Sequence, residues 1–104
     1  MPMKIFVTAA TSFEIQPSIN MFSSNSVQFY VTGIGMLSTA VSLTKIVLQE
    51  KPDIVIQAGI AGCFNTEMSL GRVFVVNSEI IGDLGVNEND DWQDVFDLKL
   101  RLDC

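Results

Sequence analysis

The sequence predicts an α/β protein, a mostly parallel sheet with helices packed on it, and three observations carry that prediction. Short, nearly unbroken apolar runs rich in β-branched residues recur at residues 5–10, 27–32 and 54–58. Such runs suit strands covered on both faces, as in parallel sheets. Between the second and third runs lies one long amphipathic helical pattern. Strand and helix patterns alternate along the chain, which is the order that builds layered α/β domains. The length of 104 residues, 48% of them hydrophobic, matches one domain and excludes disorder.

Each element has a local reason. After the first run comes Thr11-Ser12-Phe13-Glu14, where Ser12 is placed to cap a brief helix ending near Pro17 or Asn20. Residues 22–26 are mostly small and polar and read as a turn before the second strand. Gly33-Ile34-Gly35 opens the clearest helix. In it Met36, Ala40, Leu43 and Val47 recur at spacings of 4, 3 and 4, widened by Leu37, Val41 and Leu48. Ser38, Ser42, Lys45 and Gln49 mark the opposite face, so the apolar stripe is expected to lie on the sheet. Lys45 and Lys51 suit the negative end of the helix dipole, and Pro52 prevents continuation. Strands 27–32 and 54–58, joined by this helix, read as a right-handed β-α-β crossover. A polar loop around Asn65 follows, then an apolar run over 73–81 read as a further strand. In the last stretch Trp92, Val95, Phe96 and Leu98 are spaced to line one side of a short final helix.

Charge narrows the chemistry. The chain carries 12 acidic and 6 basic side chains and no histidine. A net charge of −6 argues against a nucleic-acid partner, which requires a basic footprint. Lack of histidine excludes the usual Ser-His-Asp and Cys-His systems and most zinc sites. Residues 1–82 hold five acids and four bases, whereas residues 83–104 hold seven acids and two bases. The acidic cluster Glu88, Asp90, Asp91, Asp94 and Asp97 has no register for a calcium loop and reads as a solvated loop and exposed helix face. Cys63 and Cys104 make no disulfide framework. No apolar run approaches the roughly 18–20 residues that span a bilayer, and nothing resembles an export signal, so no membrane partner and a cytoplasmic location are expected.

Ligands of open α/β sheets bind outside the carboxyl ends of the strands. Residues 9–14, 33–35 and 59–62 follow the first three strands directly, and the last two segments bear glycines. The dinucleotide fingerprint fails, because Gly33-Ile34-Gly35-Met36-Leu37-Ser38 ends on serine and no acid closes the next strand. Walker-type phosphate binding fails as well, for want of a lysine after the glycines. Glu14 stands out as a carboxylate in otherwise neutral sequence beside this cleft. Partial desolvation by Phe13 and Ile15 is expected to raise its pKa and suit it to orient or deprotonate a water. The plainer alternative is a solvent-facing residue on a short helix.

Several strings together resemble the nucleoside phosphorylase and nucleosidase superfamily. They are Thr32-Gly33-Ile34-Gly35-Met36, Lys51-Pro52-Asp53, Ala58-Gly59-Ile60-Ala61-Gly62 and Leu70-Gly71-Arg72-Val73-Phe74-Val75-Val76, the last with arginine where that family has aspartate. Ala9-Ala10-Thr11-Ser12-Phe13-Glu14-Ile15, Ile60 and Asp83-Leu84-Gly85-Val86 are similar to the futalosine hydrolase group within it. The resemblance implies a three-layer fold with a mixed, mostly parallel central sheet. It implies cleavage of the N-glycosidic bond of futalosine, with purine release, on a route to menaquinone. By the same comparison Glu14 holds and activates the attacking water. Gly35 and Ile34 border the ribosyl site, Ile60, Ala61 and Gly62 lie against sugar and base, and Thr11 occupies the cleft. A nucleoside is the implied small-molecule partner. No cofactor or metal is implied, and relatives form homo-oligomers.

Family members run to about twice this length, and the acid that protonates the departing base lies in their second half. The expectation is therefore that these 104 residues are the N-terminal part of a single domain of this kind, marginally stable, association-prone and inactive alone. Two other readings stay open: another purine nucleosidase or phosphorylase of the superfamily, and a non-catalytic remnant that binds a nucleoside or a subunit.

Overall fold

The computed structural model describes residues 2–22 and 26–98. The chain divides into two compact units, Met1–Phe64 and Asn65–Cys104. In the first, β1 (Ile5–Ala9), β2 (Val27–Val31) and β3 (Ile54–Gln57) form a wholly parallel sheet in the order β2-β1-β3. Ile5 lies beside Val27 and Ile54, and Thr8 lies beside Tyr30 and Gln57. The mixed α/β class expected from the sequence is thus present.

Being central, β1 carries the core. Phe6 and Thr8 are buried on one face and Ala9 on the other. The Phe6 ring meets Tyr30 with centroids 4.7 Å apart. Phe6 and Ile15, both fully enclosed, contribute about 1.5–3 kcal/mol each by leaving water. Lys4 fastens the start of this strand: its amide donates to Asp53 Oδ2 at 2.6 Å, and its Nζ donates to the Glu50 carbonyl at 2.6 Å.

Helix α1 (Ser12–Met21) begins at the residue expected to cap it, because the N-cap is Thr11, one residue earlier. It also runs through Pro17 to Met21. The proline removes one backbone bond, but the capped first turn and the buried Ile15 hold the helix on the sheet.

Helix α2 (Met36–Glu50) occupies its expected span, ending at Lys51 in the left-handed conformation just before Pro52. Its orientation differs from expectation. Ser38, Thr39, Ser42, Leu43 and Ile46 are the half-covered residues, whereas Met36, Leu37, Val41, Val47 and Leu48 are exposed. Two serine hydroxyls determine this, since Ser38 and Ser42 both donate to the Thr32 carbonyl, at 2.8 and 2.9 Å. The hydroxyl stripe is pinned to the end of β2, which turns the apolar stripe outward. The β2-α2-β3 unit joins parallel strands as expected, with β1 lying between them.

Strand β3 has the composition of a strand that needs cover on both faces, yet Ile54, Val55 and Ile56 are 41%, 38% and 48% exposed. As an edge strand it has a neighbour on one side only.

Within the second unit, β4 (Gly85–Glu88) and β5 (Asp91–Asp94) form an antiparallel hairpin. Asn89 and Asp90 both have positive φ, 54° and 64°, as a tight two-residue hairpin turn demands. The strand expected over residues 73–81 is absent, because that run pairs with nothing among the described residues and Val73 and Val75 are almost fully exposed. Among the described residues the final helix is also absent. Trp92 belongs to β5, which is followed by a turn in which Asp94 Oδ1 accepts from the Phe96 and Asp97 amides at 2.8 Å each. Asp97 Oδ2 accepts in return from the Asp94 amide at 3.1 Å, closing the turn over buried Val95. The acidic cluster therefore lies on a hairpin and its trailing turn. The expected turn over 22–26 falls largely outside the described residues, as does Cys104, while Cys63 is exposed. Among the described residues no helix is long and apolar enough to cross a membrane.

Candidate functional site

The three parallel strands finish at one edge of the sheet. The Thr32 amide donates to the Ala9 carbonyl at 2.9 Å and the Ala58 amide to the Thr8 carbonyl at 2.8 Å, carrying each ladder one residue past the strand. The segments leading to α1, to α2 and away from β3 consequently depart from the same end. This is where ligands of open parallel sheets collect.

Glu14 is the chemical centre of that edge. It is the third residue of α1 and closes a capping box with Thr11. Glu14 Oε2 accepts from the Thr11 amide at 3.1 Å and from Thr11 Oγ1 at 2.8 Å. The Thr11 hydroxyl oxygen in turn accepts from the Glu14 amide at 3.4 Å. Across the edge, Glu14 Oε1 accepts from the Ile60 amide at 3.2 Å, 46 residues along the chain. This last bond draws the segment after β3 against the start of α1. A side chain at Gly59 would begin 3.3 Å from the same oxygen, so glycine there keeps the backbone close.

These bonds reverse the expected titration. The Thr11 hydroxyl first, then the Ile60 amide, favours the charged carboxylate, and loss of water only partly opposes them. The Glu14 pKa lies below the ordinary value of 4.5, not above it. Phe13 does not desolvate the group, because the residue is 86% exposed, and Ile15 is buried in the core. Glu14 is accordingly an ionised acceptor near neutral pH.

The second turn is built differently. Gly33 and Gly35 both have positive φ, at 86° and 92°, and α2 starts without a side-chain cap. Thr32 is buried and donates to the Ala9 carbonyl at 3.3 Å or to the Gly33 carbonyl at 3.2 Å.

Of the residues singled out from the sequence, Glu14, Thr11 and Ile60 are joined by hydrogen bonds. Ile34, Gly35, Ala61 and Gly62 leave the same sheet edge and make no bond to the Glu14 carboxylate. Ile34 is 79% exposed and Ile60 82% exposed, so each presents an apolar surface at the rim. The structure adds Gly59 and the Thr32-Ser38-Ser42 cluster. The capping role of Thr11 is readable from the pattern Thr11-x-x-Glu14, whereas the Ile60 amide has no sequence signal. Among the described residues no cluster of three or more histidine, cysteine, aspartate or glutamate side chains is placed to hold a metal ion. Comparison with protein-family models, with curated protein sequences and with solved structures returns no match.

Proposed function

We propose that this chain carries the water-handling half of a nucleosidase that hydrolyses the N-glycosidic bond of a purine nucleoside, futalosine being the substrate suggested by its sequence resemblance. The observation that supports the reading is an ionised glutamate clamped at the carboxyl end of a parallel sheet, beside two glycine-bearing segments. An ionised Glu14 accepts a hydrogen bond from water and aims its oxygen at C1′ of the ribose, and it takes the proton once the O–C1′ bond has formed and made that proton strongly acidic. The bond from C1′ to the base nitrogen breaks through an oxocarbenium-like state, its electron pair passing to the purine. Ile34 and Ile60 offer apolar walls at the rim. Protonation of the departing base needs an acid, and the resemblance assigns that role to none of these residues.

The test is hypoxanthine release from futalosine by the product of the complete reading frame, with and without phosphate, and adenine release from methylthioadenosine. Phosphate-independent release from futalosine is expected. Phosphate dependence would assign a phosphorylase, and tight nucleoside binding without release would assign a non-catalytic binding protein. Glu14→Gln is expected to lower turnover by about 10²–10⁴-fold, the usual span of general acid–base catalysis, with nucleoside binding nearly intact. Turnover retained in that variant removes Glu14 from the mechanism.

A further inference from the structure

An ionised carboxylate offers about four acceptor positions on its two oxygens. At Glu14 the Thr11 amide and hydroxyl occupy Oε2, and the Ile60 amide occupies one position on Oε1. No charged side chain among the described residues bonds to it. The Thr11 hydroxyl is itself fixed, because its oxygen accepts from the Glu14 amide while its proton goes to Oε2. The orientation of the carboxylate is thus set by two elements, the turn before α1 and the segment after β3. The one acceptor position left is on Oε1, the oxygen beside Gly59, where a Cβ would intrude to 3.3 Å.

We infer that Thr11 is a positioning residue for Glu14, turning the carboxylate so that Oε1 keeps a single acceptor position for an O–H donor, either water or a ribose hydroxyl. The inference rests on the nucleosidase reading for what the donor is, but the clamp itself is independent of it. Two consequences separate positioning from simple helix capping. A cap serves the backbone, so glycine, which N-caps about as well as threonine, would do. Positioning also needs the hydroxyl proton on Oε2, so serine preserves it, whereas glycine and the isosteric valine do not.

The experiment uses this chain with ¹³C- and ¹⁵N-labelling. The Glu14 carboxyl carbon and the Thr11 and Ile60 amides are followed by NMR across an acid titration. In the wild type the three signals are expected to titrate with one common midpoint, below that of an ordinary glutamate. Thr11→Val is expected to raise the Glu14 midpoint and to quicken Ile60 amide exchange about tenfold, the equivalent of one ordinary net hydrogen bond. Thr11→Gly, which still caps α1, is expected to shift both as valine does, and Thr11→Ser to restore both. Independent midpoints for the Ile60 and Glu14 signals would overturn the clamp, and that wild-type measurement decides the matter even if Thr11→Val does not fold. A valine or glycine variant that titrates like the wild type, or a serine variant shifted as far as valine, would overturn the role of the hydroxyl. In the product of the complete reading frame, Thr11→Val should lower kcat with KM unchanged and move the acid limb of the pH profile upward. These NMR readouts need no turnover, so failure of the nucleosidase reading leaves the positioning role of Thr11 standing or falling on its own measurements.

Discussion

Two strand-to-helix turns leave the same edge of one parallel sheet and solve the same problem in opposite ways. The turn from β1 into α1 uses side chains: Thr11 caps the helix, Glu14 answers it, and Ile60 is drawn in from beyond β3. The turn from β2 into α2 uses backbone conformation: Gly33 and Gly35 take positive φ, and no side chain caps the helix. A capped turn fixes a functional group, because the polar atoms that satisfy the helix also orient the carboxylate. A glycine turn fixes only the path of the chain and leaves its amides accessible. Under the proposed nucleosidase reading, the chemistry falls to the first turn and the ligand-facing backbone to the second.

The sharpest way to break the comparison is to give the glycine turn side chains. Gly35, at φ 92° and ψ 161°, lies in a region that is essentially glycine-only. Gly33 combines φ 86° with a Cβ position that collides with Ser38 Oγ. Gly33→Ala is expected to destabilise the chain by about 3 kcal/mol and Gly35→Ala by about 2 kcal/mol, from the strain of such conformations. Urea midpoints at unchanged m-value measure both. Losses under about 0.5 kcal/mol, the level of an ordinary surface substitution, would show that this turn has no conformational requirement.

Smaller effects are expected at the capped turn. Thr11→Val should destabilise by about 1 kcal/mol, the usual worth of an N-cap. Its pH dependence is the more informative measurement. Because the folded Glu14 has a lowered pKa, its contribution is fully present above the unfolded value of 4.5 and is lost as pH falls through the folded value. Wild-type stability should therefore drop in that acid window relative to Glu14→Gln, and the two curves should run parallel at higher pH. Parallel curves throughout would mean that the clamp contributes nothing to folding.

The strand and helix spans of the first unit are legible in the sequence because their signals are local. β-Branched runs mark β1, β2 and β3, and α2 is bracketed by Gly35 and Pro52. What is illegible depends on a partner elsewhere. The apolar stripe of α2 identifies a face but not whether anything covers it, and the Ser38 and Ser42 bonds to Thr32 outweigh it. The run over 73–81 has strand composition, yet composition does not supply a neighbouring edge. The acidic residues hide a hairpin, because the signal in Asn89-Asp90 is tolerance of positive φ and not the spacing of ligand oxygens. At the site, the residues Glu14, Thr11 and Ile60 are legible individually. The sign of the Glu14 titration is legible only in part: its largest cause is the hydroxyl of Thr11 three residues away, whereas the Ile60 amide that adds to it, 46 residues along the chain, has no sequence signal.

The same distinction between side-chain and backbone solutions yields the smallest expected effect, at Ser42. Its hydroxyl and that of Ser38 both donate to the Thr32 carbonyl, one turn apart on α2. A carbonyl has two lone pairs, so either hydroxyl alone leaves it satisfied. Ser42→Ala should therefore destabilise by only about 0.5 kcal/mol, the lower end for a hydrogen bond removed without orphaning its acceptor. Removing both orphans the buried end of β2, so the double variant should lose clearly more than the sum of the single ones. Such non-additivity is expected of residues that share one partner. If the two losses simply add, the serines do not act together on Thr32, and the outward turn of the apolar stripe has another cause. The α2 face is then decided by Leu43 and Ile46, and the difference between the two turns narrows to how each helix begins.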